Sequence, residues 1–196
     1  MTHVLVTGGV RSGKSSYAEA LLDADAAVTY LTPGYPADAV DAEWAARVAA
    51  HQLRRPPAWR TIESLNLAET LRAVDGPVLI DCLGTWLTRL FDAWDAWEDD
   101  SVHHLGRLDG ELSTLAAAVR EHTSDVIVVT NEVGWGVVSA YKSGRVFADQ
   151  LGRVNQAIGA ACDQVVLMVA GRPLELTDGG GGPSAGGTPR SRPTPG

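Results

Sequence analysis

The chain has little cysteine, with only Cys82 and Cys162 in 196 residues. Their spacing matches neither a disulfide framework nor a metal-binding motif, so a reduced, cytoplasmic setting is expected. Basic residues are also scarce: 16 Lys and Arg stand against 24 Asp and Glu, a net charge of −8, which argues against a nucleic-acid partner. The apolar runs are no longer than a strand, so neither a membrane span nor a signal peptide is predicted.

What the chain does contain is typical of one globular domain followed by a tail. Apolar residues make up 45% and charged residues 20%, enough to bury a core. We predict a single domain over residues 1–177. Residues 178–196 contain four consecutive glycines, several prolines and no large apolar side chain. Such a segment cannot offset the entropy of ordering, so it is expected to be disordered and dispensable.

The order of predicted elements indicates an α/β fold. Apolar strand candidates alternate with helical stretches, and the strands lack the polar alternation of a half-exposed sheet. This pattern predicts a mostly parallel sheet with helices on both faces, as in phosphate-loop NTPases. The predicted strands are 4–7, 27–32, 78–82, 126–130 and 164–170. The predicted helices are 14–23, 38–55, 65–75, 84–93, 103–122 and 142–161.

The first strand candidate leads into a Gly-x-x-x-x-Gly-Lys-Ser phosphate loop. A strand, a glycine-rich turn and a helix start aim backbone N–H groups and the helix dipole at one place, which suits phosphate. Lys14 can then reach the β- and γ-phosphates, and Ser15 can ligate Mg²⁺. The predicted nucleotide-binding residues of this loop are Gly8, Gly9, Val10, Arg11, Ser12, Gly13, Lys14 and Ser15.

Two carboxylates follow predicted strands and could serve the same nucleotide. Asp81 ends the apolar strand 78–82, and Glu132 comes shortly after the strand 126–130. Both belong to the carboxyl edge of the sheet, where ligands bind in open α/β folds. Asp81 is the preferred candidate for the magnesium side. For Glu132 a helix-capping or loop role remains equally open.

His51 is the third candidate and belongs to the predicted helix 38–55. It lies three residues beyond Val48 of an inward-facing stripe, so a packed core histidine is one interpretation. Arg47, Arg54 and Arg55 are spaced to share its side of the helix. Neighbouring cations keep an imidazole neutral, as a nucleophile requires, and guanidinium groups bind phosphate bidentately. From the residues alone, attack on phosphorus and a solvated basic face both remain open.

Five blocks in order resemble the bifunctional adenosylcobinamide kinase and adenosylcobinamide-phosphate guanylyltransferase family of cobalamin biosynthesis. The likeness runs from about residue 3 to residue 176. The blocks are LVTGGVRSGKS (5–15), DAEWAARVAAH (41–51), RP with WRTIE (55–56 and 59–63), VTNEVGWGVV (129–138) and FADQLGRVNQ (147–156).

The resemblance implies two reactions. A γ-phosphoryl group from ATP or GTP goes to adenosylcobinamide, and GMP from GTP then reaches the phosphorylated product through a guanylyl-histidine at His51. It also implies a homo-oligomer, most simply a trimer. The phosphate loop itself favours catalysis by Lys14 and a Mg²⁺ ligand at Ser15, and the carboxylate at the strand end favours Asp81 as the second Mg²⁺ ligand. The nucleotide contacts that the resemblance implies beyond the phosphate loop are Thr32, Pro33, Gly34, Gln52, Leu53, Arg54, Arg55, Glu63 and Asp81.

The sequence departs from the family pattern at several positions. Asp81 replaces an expected glutamate, Arg89 an asparagine and Ser139 a proline, and Tyr35-Pro36 replaces smaller polar residues in a nucleotide loop. Two other functions compete with the family's. One is a single-activity phosphate-loop kinase with His51 merely packed, and the other is a non-enzymatic nucleotide-binding switch. The His51 and arginine cluster argues against both.

Overall fold

The computed structural model describes residues 1–35, 42, 45, 46, 49, 52, 53, 55–97 and 102–176. His51, Arg54 and the predicted tail lie outside the described residues. The domain division at residue 177 therefore stays a prediction. Within these ranges, no helix is long and apolar enough to cross a bilayer.

Twelve elements with defined bounds make up the described fold, in the order expected for a parallel α/β sheet. The strands are β1 (His3–Gly8), β2 (Thr29–Thr32), β3 (Arg60–Glu63), β4 (Val78–Asp81), β5 (Val126–Val129), β6 (Gln164–Val169) and β7 (Arg172–Leu176). The helices are α1 (Lys14–Ala20), α2 (Leu67–Arg72), α3 (Leu83–Trp94), α4 (Val102–Glu121) and α5 (Lys142–Gly159).

The seven strands form one sheet in the order β3-β2-β4-β5-β1-β6-β7. All neighbours are parallel except β6 and β7, which form an antiparallel hairpin at one edge. The carboxyl ends of β1 to β5 therefore meet at one edge of the sheet. This arrangement confirms the predicted mostly parallel α/β sheet.

Helices cover both faces of the sheet, as predicted, because successive strand residues point to opposite sides. On one face Leu5, Leu31 and Ile80 pack with the four helices α2 to α5. On the other face Val6 and Leu79 pack with α1. Strands buried on both sides explain the near-continuous apolar runs.

Two edge strands, β3 and β7, are missing from the sequence-based prediction. Both are short, polar and largely exposed, with the sequences RTIE and RPLEL. Pro173 can occupy β7 because an edge strand leaves one side without ladder hydrogen bonds. Neither segment carries an apolar run or an alternation that predicts a strand, so the prediction was wrong there.

The predicted helix 38–55 extends too far at its end. Ala42, Ala45, Ala46, Ala49, Gln52 and Leu53 are helical. Arg55 is not helical, and its N–H donates to the carbonyl of Gln52 at 3.2 Å. Pro56 explains this ending, because the proline ring disfavours the helical conformation of the preceding residue.

The β6–β7 turn predicts a stabilising substitution. Ala170 and Gly171 form the two-residue turn with φ of 49° and 76°, and Val169 pairs with Arg172 across it. Such turns favour Asn-Gly because both residues are left-handed, a conformation that costs alanine free energy. Ala170→Asn is expected to raise the free energy of unfolding by about 1 kcal/mol. Thermal melting would show a Tm increase of about 2–4 °C, and an unchanged or lower Tm would contradict the assignment.

Candidate active site

The phosphate loop connects β1 to α1, and two of its glycines are required by its geometry. A Cβ on Gly8 would lie 2.6 Å from the carbonyl oxygen of Met168, and Gly13 has φ of 93° at the start of α1. The β6–β7 turn supports the loop, since the Gly171 N–H donates to the Ser12 carbonyl at 3.0 Å. Lys14 donates from Nζ to the Gly9 carbonyl at 3.1 Å, so its ammonium lies over the loop. The loop therefore has the close backbone packing and the cation that phosphate binding needs.

Glu132 lies beside this loop. Its N–H donates to the Gly8 carbonyl at 3.1 Å, and Thr7 donates from Oγ1 to Glu132 Oε2 at 3.4 Å. Asn155 of α5 donates from Nδ2 to the Asn131 carbonyl at 3.0 Å and contacts Glu132 Oε2 at 3.5 Å. Of the two carboxylates, Glu132 is thus the one that is hydrogen-bonded to β1, the strand that leads into the loop. Asp81 is the last residue of β4, which is separated from β1 by β5.

Three of the predicted nucleotide contacts form a row across the sheet edge. Thr32 pairs with Glu63 on one side, and Leu31 pairs with Ile80 on the other. Three neighbouring strands therefore end at equivalent positions, and their last residues lie on the face that carries α1. These residues are Glu63 of β3, Thr32 of β2 and Asp81 of β4. The row from β3 to β1 crosses four strand spacings, about 19 Å. The structure thus brings these three residues together and separates Glu63 from the phosphate loop.

Asp81 has a hydrogen-bond partner that sequence reasoning missed. The Tyr30 hydroxyl donates to Asp81 Oδ2 at 2.7 Å. Burial, together with the adjacent Asp81 carboxylate, raises the pKa of Tyr30 above its usual range. The Tyr30 hydroxyl therefore keeps its proton at neutral pH and donates a hydrogen bond to Asp81. The register could have indicated this pair, since Tyr30 faces Leu79 and Asp81 is the next residue on that face.

Cys82 directly follows Asp81 in the chain, and its thiol is partly buried. Burial, followed by the neighbouring Asp81 carboxylate, raises the pKa of Cys82, while Lys14 acts in the opposite direction. Lys14 and Asp81 are thus both within electrostatic range of one side chain. Cys82 and Cys162 are free thiols, as the sequence predicts.

Arg55 is the described member of the predicted arginine cluster. Its guanidinium carbon lies 3.7 Å from the centroid of the Tyr30 ring, and its Nη1 donates to Thr61 Oγ1 at 2.8 Å. Because the Tyr30 hydroxyl donates to Asp81, the structure brings Arg55 and Asp81 to one tyrosine.

The helix before Arg55 carries the other nucleotide contacts that the family resemblance implies. Gln52 and Leu53 are exposed on that helix, so both are accessible to a ligand. The predictions for His51 and Arg54 stay predictions, because both residues lie outside the described part of the chain.

Two departures from the family pattern, Arg89 and Tyr35, contact each other. Arg89 of α3 donates from Nη1 to the carbonyls of Pro33 and Gly34 at 3.1 and 2.9 Å. Its guanidinium also lies 5.2 Å from the centroid of the Tyr35 ring, and the Tyr35 hydroxyl donates to Asp92. Hydrogen bonds from Arg89 therefore hold the loop after β2 against α3. No local sequence pattern indicates this long-range contact.

The hydrogen bonds from Arg89 to this loop predict an effect on nucleotide affinity. Arg89→Asn removes the donor to both carbonyls and therefore leaves the loop less ordered in the free protein. Nucleotide binding must then supply the free energy that orders the loop. We expect KM for the nucleotide to rise about five- to tenfold, equivalent to about 1 kcal/mol, with kcat little changed. Arg72→Ala is the matched control, because Arg72 donates to the Thr114 carbonyl on a helical surface away from the strand ends. Equal KM values for Arg89→Asn and the unmodified protein would contradict the interpretation.

Comparison with known proteins gives the family. Residues 4–176 match the family described as cobinamide kinase / cobinamide phosphate guanyltransferase. The bifunctional adenosylcobalamin biosynthesis protein CobU of Salmonella typhimurium is 39% identical over 176 residues, covering 86% of this chain and 96% of that protein. The corresponding CobP protein of Pseudomonas aeruginosa is 41% identical over 177 residues, covering 88% and 95%.

A solved structure of a prototypical ATPase from the type III secretion system of pathogenic bacteria has a similar fold. Its TM-score is 0.50 at 11% identity, and the match covers 85% of this chain and 50% of the ATPase chain. This likeness agrees with the phosphate-loop NTPase architecture. The match over 4–176, with relatives near 40% identity aligned along almost their whole length, shows that the chain belongs to the cobinamide kinase / cobinamide phosphate guanyltransferase family.

Proposed function

We propose that the protein phosphorylates adenosylcobinamide with ATP or GTP and then transfers GMP from GTP to the product, forming adenosyl-GDP-cobinamide. The observation that carries the proposal is the single sheet edge that holds the phosphate loop and the row of Glu63, Thr32 and Asp81. A nucleotide with its phosphates at the loop and its nucleoside toward β3 would lie along this row.

In the first reaction, the hydroxyl oxygen of adenosylcobinamide attacks the γ-phosphorus. The bond to the nucleoside diphosphate breaks, and the hydroxyl proton is lost. Lys14 and the backbone N–H groups of the phosphate loop would stabilise the charge on the transferring group. With γ-labelled ATP, the label is expected in the cobinamide product, and a product without label would contradict the kinase assignment.

In the second reaction, a ring nitrogen of His51 attacks the α-phosphorus of GTP and pyrophosphate leaves. A phosphate oxygen of cobinamide phosphate then attacks the same phosphorus, and the nitrogen–phosphorus bond breaks. The covalent intermediate divides a difficult transfer into two easier ones. Arg55, whose guanidinium lies over Tyr30 at the same sheet edge, would bind phosphate oxygens bidentately, and Gln52, Leu53 and Arg54 would complete the site.

The residues at this edge fit Mg²⁺. Mg²⁺ prefers oxygen ligands and is usually held by one or two carboxylates together with substrate phosphates. The Ser15 hydroxyl and the Asp81 carboxylate provide such oxygens, with Glu132 as a second carboxylate. In the described ranges, no three His, Cys, Asp or Glu side chains are placed to hold a metal together. Bound Mg²⁺ would neutralise charge on the β- and γ-phosphates.

A test of Asp81 separates a functional carboxylate from a structural one. Asp81→Asn keeps an oxygen that can accept the Tyr30 hydrogen bond but removes the charge. We expect the rate to fall at least tenfold, with Tm changed by only a few degrees and partial recovery at high Mg²⁺ concentration. Glu132→Gln is the matched variant at the neighbouring strand. A smaller loss for Asp81→Asn than for Glu132→Gln would assign the function to Glu132 instead.

We further propose a cytoplasmic homo-oligomer, most simply a trimer. The segment after β5 supports association, because it exposes several large apolar side chains and connects directly to Glu132. Exposed apolar clusters of this kind often mark protein interfaces. The side chains are Trp135, Val137, Val138 and Tyr141. Light scattering of the purified protein is expected to give three times the 20.7 kDa chain mass, and a monomer mass would contradict this proposal.

A further inference from the structure

We infer that Tyr30 is a positioning residue that holds Asp81 and Arg55 in one fixed arrangement for guanylyl transfer. The inference rests on the proposed function, because Asp81 and Arg55 are themselves proposed nucleotide contacts. Tyr30 would act through these two side chains and would not contact the reacting atoms.

The position of Tyr30 in the sheet explains how one residue serves two partners. Tyr30 pairs with Thr61 of β3 on one side and with Leu79 of β4 on the other. It therefore lies on the middle one of three neighbouring strands. It is 1% exposed and packs against Trp59, with ring centroids 6.4 Å apart. The ring is therefore fixed by the core, while its hydroxyl extends toward the strand ends.

The hydroxyl end of Tyr30 fixes Asp81. The 2.7 Å hydrogen bond restricts the Asp81 side chain, which extends from the last residue of β4. A carboxylate held by a hydrogen bond keeps its direction before a nucleotide binds. Preorganised charge lowers a reaction barrier because no reorganisation is needed during the reaction.

The ring face of Tyr30 supports Arg55. The guanidinium stacks at 3.7 Å and is held at one end by its hydrogen bond to Thr61. Its Nε is buried and has no hydrogen-bond partner within the part of the chain that the structure describes. A buried N–H without a partner costs free energy, so the contacts with Tyr30 and Thr61 must offset that cost to keep the guanidinium in this place. The stacked guanidinium is thus held in one orientation by the Tyr30 ring and by Thr61.

The two contacts use different parts of Tyr30, so two substitutions separate them. Tyr30→Phe removes only the hydroxyl and leaves the stacking face. Tyr30→Leu removes the ring face as well. The readout is the second-order rate constant for covalent self-labelling with α-labelled GTP, written kcat/KM below and measured at equal amounts of folded protein.

Double-mutant cycles then test whether each effect passes through its partner. Tyr30→Phe is expected to lower kcat/KM about tenfold, but less than twofold when Asp81 is already replaced by asparagine. Tyr30→Leu is expected to cost a further factor of about five beyond Tyr30→Phe. That further factor should disappear in an Arg55→Gln background and persist in an Asp81→Asn background.

Trp59→Phe provides a matched control from the same aromatic cluster. It replaces the indole by a smaller aromatic ring and also removes a polar group, here the Nε1 donor to the Asp23 carbonyl at 3.3 Å. A lower Tm is expected with kcat/KM changed less than twofold, because phenylalanine still packs against the Tyr30 ring. If Tyr30→Leu fails to fold, Tyr30→Met takes its place in the Arg55 cycle, because its longer and more flexible side chain adapts to the space left by the ring.

The outcomes distinguish the inference from the proposed function. If the unmodified protein takes up no α-label, the proposed function fails and the inference fails with it. If it takes up label but Tyr30→Phe lowers kcat/KM by the same factor in the unmodified and the Asp81→Asn backgrounds, Tyr30 is only structural and the inference is overturned. A kcat/KM of Tyr30→Phe equal to that of the unmodified protein would overturn it as well.

Discussion

Replacement of His51 by alanine is expected to abolish covalent labelling of the protein by GTP carrying label at its α-phosphate. The imidazole supplies the nitrogen that bonds to phosphorus, and alanine offers no substitute. A phosphoramidate is labile in acid and stable in base, and a phosphoester does not show this combination. Acid and base treatment therefore identify the bond in the unmodified protein. Denaturing electrophoresis of the labelled protein measures the result.

The matched control for this experiment is His104→Ala. His104 is a half-buried histidine of α4 and is not part of the proposed site. This variant should keep the acid-labile label, and both variants should keep a cooperative thermal transition. Undiminished labelling of the His51 variant would show that another residue is the nucleophile.

Replacement of Lys14 is the second change with a large expected effect. Lys14 extends from the first residue of α1 over the phosphate loop, where it contacts the Gly9 carbonyl. Lys14→Ala removes a charge from the place where transition-state charge develops on the phosphates. We expect the kinase rate to fall about 100-fold or more, the scale of one lost electrostatic donor.

Lys14→Arg separates charge from shape in this experiment. Arginine keeps the charge, but its planar fork does not reproduce a compact ammonium, so only partial activity is expected. The Lys14 side chain is partly exposed, so both variants should melt near the temperature of the unmodified protein. Near-normal kinase turnover of Lys14→Ala would contradict the assignment.

The sequence predicted the parts of the fold that follow from local pattern. β1, β2, β4 and β5 are recognisable as apolar runs because burial on both faces demands them. β6 also contains an apolar run, although it is only partly buried. The glycines at positions 8 and 13 are recognisable in the sequence because the fold requires glycine there. At Gly8 the backbone of Met168 comes too close for a side chain, and Gly13 has a left-handed φ. β3 and β7 were not predictable in this way, since their pairing partners, not their own side chains, make them strands.

The candidate site was predictable to the same extent. Lys14 and Asp81 are recognisable from the strand, loop and helix around them, and Arg55 from its neighbours. Tyr30 and Arg89 were missed because their partners are 51 and about 55 residues away in the chain. Such contacts depend on strand register and helix placement, which are tertiary properties.

The most direct test of the central claim compares two labelled forms of GTP with the unmodified protein. After incubation with GTP labelled at the α-phosphate or at the γ-phosphate, the protein is denatured and separated from free nucleotide. Label retained from the α-position alone is the predicted result, and adenosylcobinamide phosphate should then remove it from the protein. Label retained from the γ-position, or from neither position, would contradict a guanylyl-enzyme intermediate.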